Sequence, residues 1–148
     1  MSGSVPTLAF IQQAFPLAGS PLSIESFGRG NIHDSYRLRL DASCDVSYLL
    51  QRLNQQVFPC VPVLMNNIVR ITDYLRSRWV AHSPLDPRRH CLELVTTRNG
   101  DSYATDAKGE VYRMFVFVDN SCSYHSVQHP EQAYNAASAF GRFQANLL

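Results

Sequence analysis

Ser26-Phe27-Gly28-Arg29-Gly30-Asn31-Ile32-His33-Asp34-Ser35-Tyr36-Arg37-Leu38-Arg39-Leu40, then a polar turn and Val46-Ser47-Tyr48-Leu49-Leu50-Gln51-Arg52-Leu53-Asn54, is the stretch whose reading decides the fold. Tyr36, Leu38 and Leu40 alternate with Arg37 and Arg39, which is the period of a half-buried strand. The stretch therefore predicts a strand, a glycine-rich turn, a returning strand and a third strand carrying a cation. Gly28 and Gly30 remove the Cβ atoms that keep backbone away from a ligand, so successive N–H groups can approach an anion closely. A phosphate is the natural anion for such a turn.

A dinucleotide-binding loop opens a helix, whereas this one opens another strand, so that reading fails. What remains is a β-hairpin whose turn covers phosphates, the arrangement used by kinases, with His33 where their third glycine stands. Strand alternation places Tyr48, Leu50 and Arg52 on one face and Leu49, Gln51 and Leu53 on the other. Arg52 is the expected phosphate cation, directed to the cleft beneath Gly28 and Gly30.

Outward from this stretch, Pro6, Leu8, Ile11, Gln12 and Phe15 predict a short helix ended by Pro16, and Leu22 to Phe27 a strand. Asp41 to Asp45 form a turn with side chains suited to local backbone hydrogen bonds. A helix begins at Pro62, with Leu64, Ile68, Ile71, Leu75 and Trp79 along its apolar face. Leu92 to Thr97 reads as a strand, Asn99-Gly100 as a hairpin turn with Tyr103 on the return, and Asp106-Ala107-Lys108-Gly109 as a second turn into a strand from Glu110 to Val118. The fold class is α+β, with an antiparallel sheet of five or six strands in a meander. Pro130 opens a last helix bearing Ala133, Ala137, Phe140, Phe143 and Leu147.

Several stretches together resemble the aminoglycoside phosphotransferase and choline kinase-like superfamily, closest to N-acetylhexosamine 1-kinase-like proteins. They are Gly30-Asn31-Ile32-His33-Asp34-Ser35-Tyr36, Tyr48-Leu49-Leu50-Gln51-Arg52-Leu53-Asn54, Val57-Phe58, Leu64-Met65-Asn66-Asn67-Ile68, Tyr112-Arg113-Met114, Phe117-Val118-Asp119-Asn120, and Ala133-Tyr134 with Ala139-Phe140-Gly141-Arg142-Phe143-Gln144. The resemblance implies a protein-kinase-like N-terminal lobe over residues 1–118, a hinge over 119–129, and the first helix of a C-terminal lobe over 130–148. It implies an ATP-binding lobe that, with magnesium, serves transfer of the γ-phosphate to a sugar or amino-sugar hydroxyl. Phe27, Gly28, Gly30, Asn31, Ile32, Leu50, Arg52, Met114, Phe117 and Val118 are the expected nucleotide contacts. The hinge itself, within Val116 to Asp119, would pair adenine through backbone groups and offer apolar side chains as walls.

Two features depart from the family pattern. The helix from Pro62 corresponds to the kinase αC, whose glutamate fixes the strand cation, yet no carboxylate occurs between Cys60 and Thr72. Asn66 or Asn67 takes that place, and Asp73 lies about two turns further on. The catalytic His-x-Asp of the family is also missing from the 148 residues, and Asp34 is expected to follow the loop without a partner. No catalytic or metal residue is therefore assigned, and the chain alone is expected not to transfer phosphate. A complementary C-terminal lobe is the implied partner; the alternative is a non-catalytic α+β binding module derived from such a lobe.

Composition excludes other classes. A net charge of +1 offers no footprint for nucleic acid, and no run of like charge marks a membrane-binding face. No stretch approaches the roughly 20 apolar residues that span a bilayer. The start lacks a basic, apolar secretory signal, so a cytoplasmic protein is expected. Cys44, Cys60, Cys91 and Cys122 are scattered and read as free thiols; His125 and His129, four apart, precede the Pro130 helix rather than sharing one, so no metal site is read there.

Overall fold

The computed structural model describes residues 5–28, 30, 32–41, 45–82, 91–121, 124 and 126–147. Asn31, Cys44, Cys122, His125 and the Trp79 side chain lie outside the described residues. The elements are α1 (Leu8–Ala14), β1 (Pro21–Ser26), β2 (Asp34–Leu40), β3 (Ser47–Arg52), α2 (Val61–His82), β4 (Leu94–Val95), β5 (Ala104–Thr105), β6 (Val111–Val116) and α3 (Pro130–Leu147). Together they make an α+β fold with a six-stranded antiparallel sheet, ordered β1-β2-β3-β6-β4, with β5 also paired to β6.

Alternation decides which residues enter which layer. Tyr36, Leu38 and Leu40 of β2, Tyr48 and Leu50 of β3, and Tyr112 and Met114 of β6 all project to one face. There they bury Ile11 and Phe15 from α1 and its end. Thr7 caps α1, its hydroxyl accepting the Phe10 N–H at 3.3 Å, so Pro6 precedes the cap rather than opening the helix.

On the opposite face Leu53 and Val111 pack against Val61 and Met65 of α2, joined by Leu64, Ile68, Leu94 and Tyr103. The buried line of α2 is thus Val61, Met65 and Leu75, while Ile71 is exposed. Of the expected stripe, Leu64 and Ile68 pack against this cluster and Leu75 is buried, so only Ile71 among its described side chains turns outward, and the buried side is extended by Val61 and Met65. Arg76 on α2 pairs with Glu93 at 3.0 Å, tying the helix to the chain entering β4.

The expected meander is corrected at β4 and β5, which pair with successive parts of β6 and not with each other. Their connection closes on itself: Thr97 N–H donates to the Asp101 carbonyl at 2.8 Å, and Thr97 Oγ1 accepts the Asp101 N–H at 3.0 Å. The turn into β6 has its own internal bonds, with Asp106 Oδ1 accepting the N–H groups of Lys108 and Glu110 and Gly109 held at φ +80°. Between these neighbours and β3, β6 is buried on both faces from Val111 to Phe115.

Candidate functional site

The glycine turn joins β1 to β2 as the spacing requires. Gly28 adopts φ +75°, a left-handed conformation that side chains disfavour. Gly30 is needed for space instead: a Cβ there would lie 3.0 Å from the His33 carbonyl oxygen. Phe27 flanks the turn, its N–H donating to the Ser35 carbonyl at 2.8 Å, so register puts Phe27 in line with Ser35 and Gln51. Its ring nevertheless meets that of Phe117 edge to face at 5.0 Å, although the Phe117 backbone is paired further along, with Ser47. Contact between two such distant rows means that the end of the hairpin folds over this face of the sheet.

Arg37 fastens the other end of the same face. Its guanidinium lies 4.2 Å from the Phe117 ring centre and bonds Asp119 at 2.8 Å and Ser47 Oγ at 3.2 Å. The segment leaving β6 is thereby tied to β2. Phe117 N–H is occupied by the Ser47 carbonyl and Val116 N–H by that of Glu93, while Val118 N–H has no hydrogen-bond partner among the described residues.

Between these anchors runs a polar row across three strands, Ser35, Gln51 and Arg113, in direct register. Gln51 Nε2 donates to Ser35 Oγ at 3.0 Å, and Arg113 Nε donates to Gln51 Oε1 at 3.0 Å. Arg113 is only 9% exposed and sits 5.3 Å from the Phe115 ring centre. Burial pulls its guanidinium below its ordinary pKa, and no carboxylate among the described residues pairs with it. Beside the row, His33 Nδ1 accepts the Asn54 N–H at 3.1 Å. Burial first, then the positive charge of Arg113, hold the His33 pKa down against an opposing pull from Asp34.

The predicted contacts divide between the two faces. Phe27 and Phe117 come together, Gly28 and Gly30 form the turn, Ile32 is exposed beside it, and Val118 follows at the strand end. Leu50 and Met114 are paired neighbours with no exposed surface, sealed under α1 on the other face, so they cannot wall a ligand at Phe117. Arg52 belongs to that face too. Its Nε donates to Asp34 Oδ2 at 2.9 Å, Nη2 bonds the same oxygen, and Nη1 lies 3.3 Å from Glu110 Oε1.

The expectation that Arg52 points beneath the glycines is therefore corrected, as is that of an unpartnered Asp34. Parity grouped Tyr48, Leu50 and Arg52 properly, but α1 claims their face. The missing αC carboxylate is also accounted for: Asp34 of β2 and Glu110, just before β6, hold Arg52, and Asn66 and Asn67 are exposed on α2. Burial raises Tyr112, beside Arg52, to a pKa of about 12, with Asp106 adding to the shift.

Sequence reasoning placed Asp119 at the edge of the hinge but gave no site role to Arg37, Gln51 or Arg113. Only Arg113 left a sign, as a lone cation inside an apolar run that is buried on both sides. Among the described residues no three His, Cys, Asp or Glu side chains gather as a metal site, and no helix is long and apolar enough to cross a membrane. Cys60 is a free thiol. A search against models of known protein families finds none that matches.

Proposed function

We propose that this chain is the ATP-binding lobe of a small-molecule kinase of the aminoglycoside phosphotransferase type, serving transfer to a sugar or amino-sugar hydroxyl. The observation that carries the reading is the meeting of Phe27 and Phe117 on one face, which brings the glycine turn over the end of β6. These are the two segments that a kinase-like lobe uses for phosphates and for adenine. The sheet order, with a long helix following β3, supports the same reading.

On this reading adenine lies against the Phe117 end, and Val118 N–H is the backbone donor left to meet it. The described residues do not fit a magnesium site: no three His, Cys, Asp or Glu side chains gather among them, and Asp34, which follows the turn, is engaged with Glu110 by Arg52. Magnesium and the base that orients the acceptor hydroxyl would come from groups outside them, in a complementary lobe.

The test is calorimetric titration of the purified chain with ATP and with adenosine. Both are expected to bind, and Val118→Pro, which removes the N–H, should weaken both by about tenfold, the value of roughly one hydrogen bond. Absence of binding by either up to about 5 mM, an affinity weaker than about −3 kcal/mol, would overturn the reading.

A further inference from the structure

We infer that Arg113, presented by Gln51 in line with Ser35, is the cation that receives the phosphates of the bound nucleotide. The inference rests on the nucleotide reading of this face and adds to it the residue that meets the anion. Four arginines among the described residues are not exposed: Arg37, Arg52, Arg76 and Arg113. The first three each pair with a carboxylate, Asp119, Asp34 with Glu110, and Glu93 respectively. Arg113 is the most buried of them, yet its one hydrogen bond among the described residues goes to a neutral amide. A buried cation without a counter-ion is costly, and an arriving anion relieves that cost.

Position selects a phosphate. Arg113 shares a cross-strand row with Ser35, immediately after the glycine turn, and with Phe27 through the Ser35 carbonyl. It also stands four residues before Phe117 on the same strand face, roughly 13 Å along the strand. That separation suits a nucleoside triphosphate lying with its base toward Phe117 and its phosphates at Arg113. The hydrogen bonds of the row hold the guanidinium in place: the Gln51 carbonyl takes Nε, leaving the terminal nitrogens, which have no partner among the described residues, for the ligand. Guanidinium planarity suits two-pronged binding of phosphate oxygens. Arg52 has no such capacity to spare, because two carboxylates already hold it on the other face.

The experiment titrates the full chain with ATP, adenosine and inorganic tripolyphosphate, in the wild type, Arg113→Gln and Gln51→Glu. Wild type should bind ATP more tightly than adenosine, and Arg113→Gln should lose that advantage, about 10- to 100-fold, while adenosine binding stays unchanged. Gln51→Glu supplies the missing counter-ion internally: it should raise the melting temperature and weaken ATP and tripolyphosphate by a similar factor. These opposite signs keep the test decisive should Arg113→Gln not fold. If both variants keep the ATP advantage, the assignment of Arg113 is overturned while the nucleotide reading stands. If neither ATP nor adenosine binds the wild type, the nucleotide reading falls. Tripolyphosphate then decides the anion site alone: Arg113-dependent binding upholds it, and no binding overturns it.

Discussion

At the scale of single residues, the charged side chains differ less in type than in what faces them. Arg52 and Arg113 lie on neighbouring strands, but one is neutralised by Asp34 and Glu110 and the other hydrogen-bonds only a neutral amide among the described residues. His33 reports the local field. Burial, and next the charge of Arg113, lower its pKa, while Asp34 pulls the other way. The folded chain therefore binds this proton less readily than the unfolded chain. His33's contribution is fully present above the ordinary histidine value of about 6.5 and is lost as pH falls from there through the lower folded value. Thermal melts between about pH 7 and pH 5 should show the wild type losing more stability than His33→Asn; parallel slopes would rule out this account.

At the scale of elements, the turns are specified by backbone geometry and the helices by the faces they bury. Gly109 holds φ +80° at the entry to β6, with open space around the position of a Cβ, so only backbone strain opposes a side chain there. Gly109→Ala should lower stability by about 1–2 kcal/mol, the cost of the left-handed conformation for an L-residue. Gly141 is the converse, a glycine inside α3 with nothing near its missing Cβ. Gly141→Ala should raise helix stability by up to about 1 kcal/mol. Denaturant melts of the two variants measure both signs, and a stabilising Gly109→Ala would contradict the turn geometry.

For the whole molecule, the contrast is between a sheet covered on two sides and a terminal helix covered on none. α3 has no buried residue; Phe140 is 63% exposed, and its ring lies 6.2 Å from that of Phe143. Arg78 on α2 reaches the Asn146 carbonyl at 3.1 Å, a polar tether that leaves the apolar side open. An exposed aromatic face of this kind promotes association. Sedimentation of the purified chain should show concentration-dependent association that Phe140→Glu with Phe143→Glu suppresses. A wild type that stays monomeric throughout would show that the helix face is solvated as it stands.

What could be read without coordinates was local. Alternation in Tyr36-Arg37-Leu38-Arg39-Leu40 and in Tyr48 to Leu53 assigned side chains to common faces, because successive strand residues point to opposite sides whatever surrounds them. The glycine turns, the apolar run of β6 and the α2 and α3 helices followed from equally local signals. Alternation is symmetric, however: it groups Leu50 with Arg52 and Leu49 with Gln51 without saying which group α1 or α2 will cover. That choice is made by packing, when Ile11 and Phe15 bury against Leu50 and Met114, and Met65 against Leu53 and Val111. It reverses the sequence-based assignment of the site, because it sends Arg52 to the face of α1 and turns Arg113 to the face of Phe117. The Arg52 pairs with Asp34 and Glu110 were out of reach for the same reason, since they exist only through cross-strand register between residues 18 and 58 positions apart in the chain.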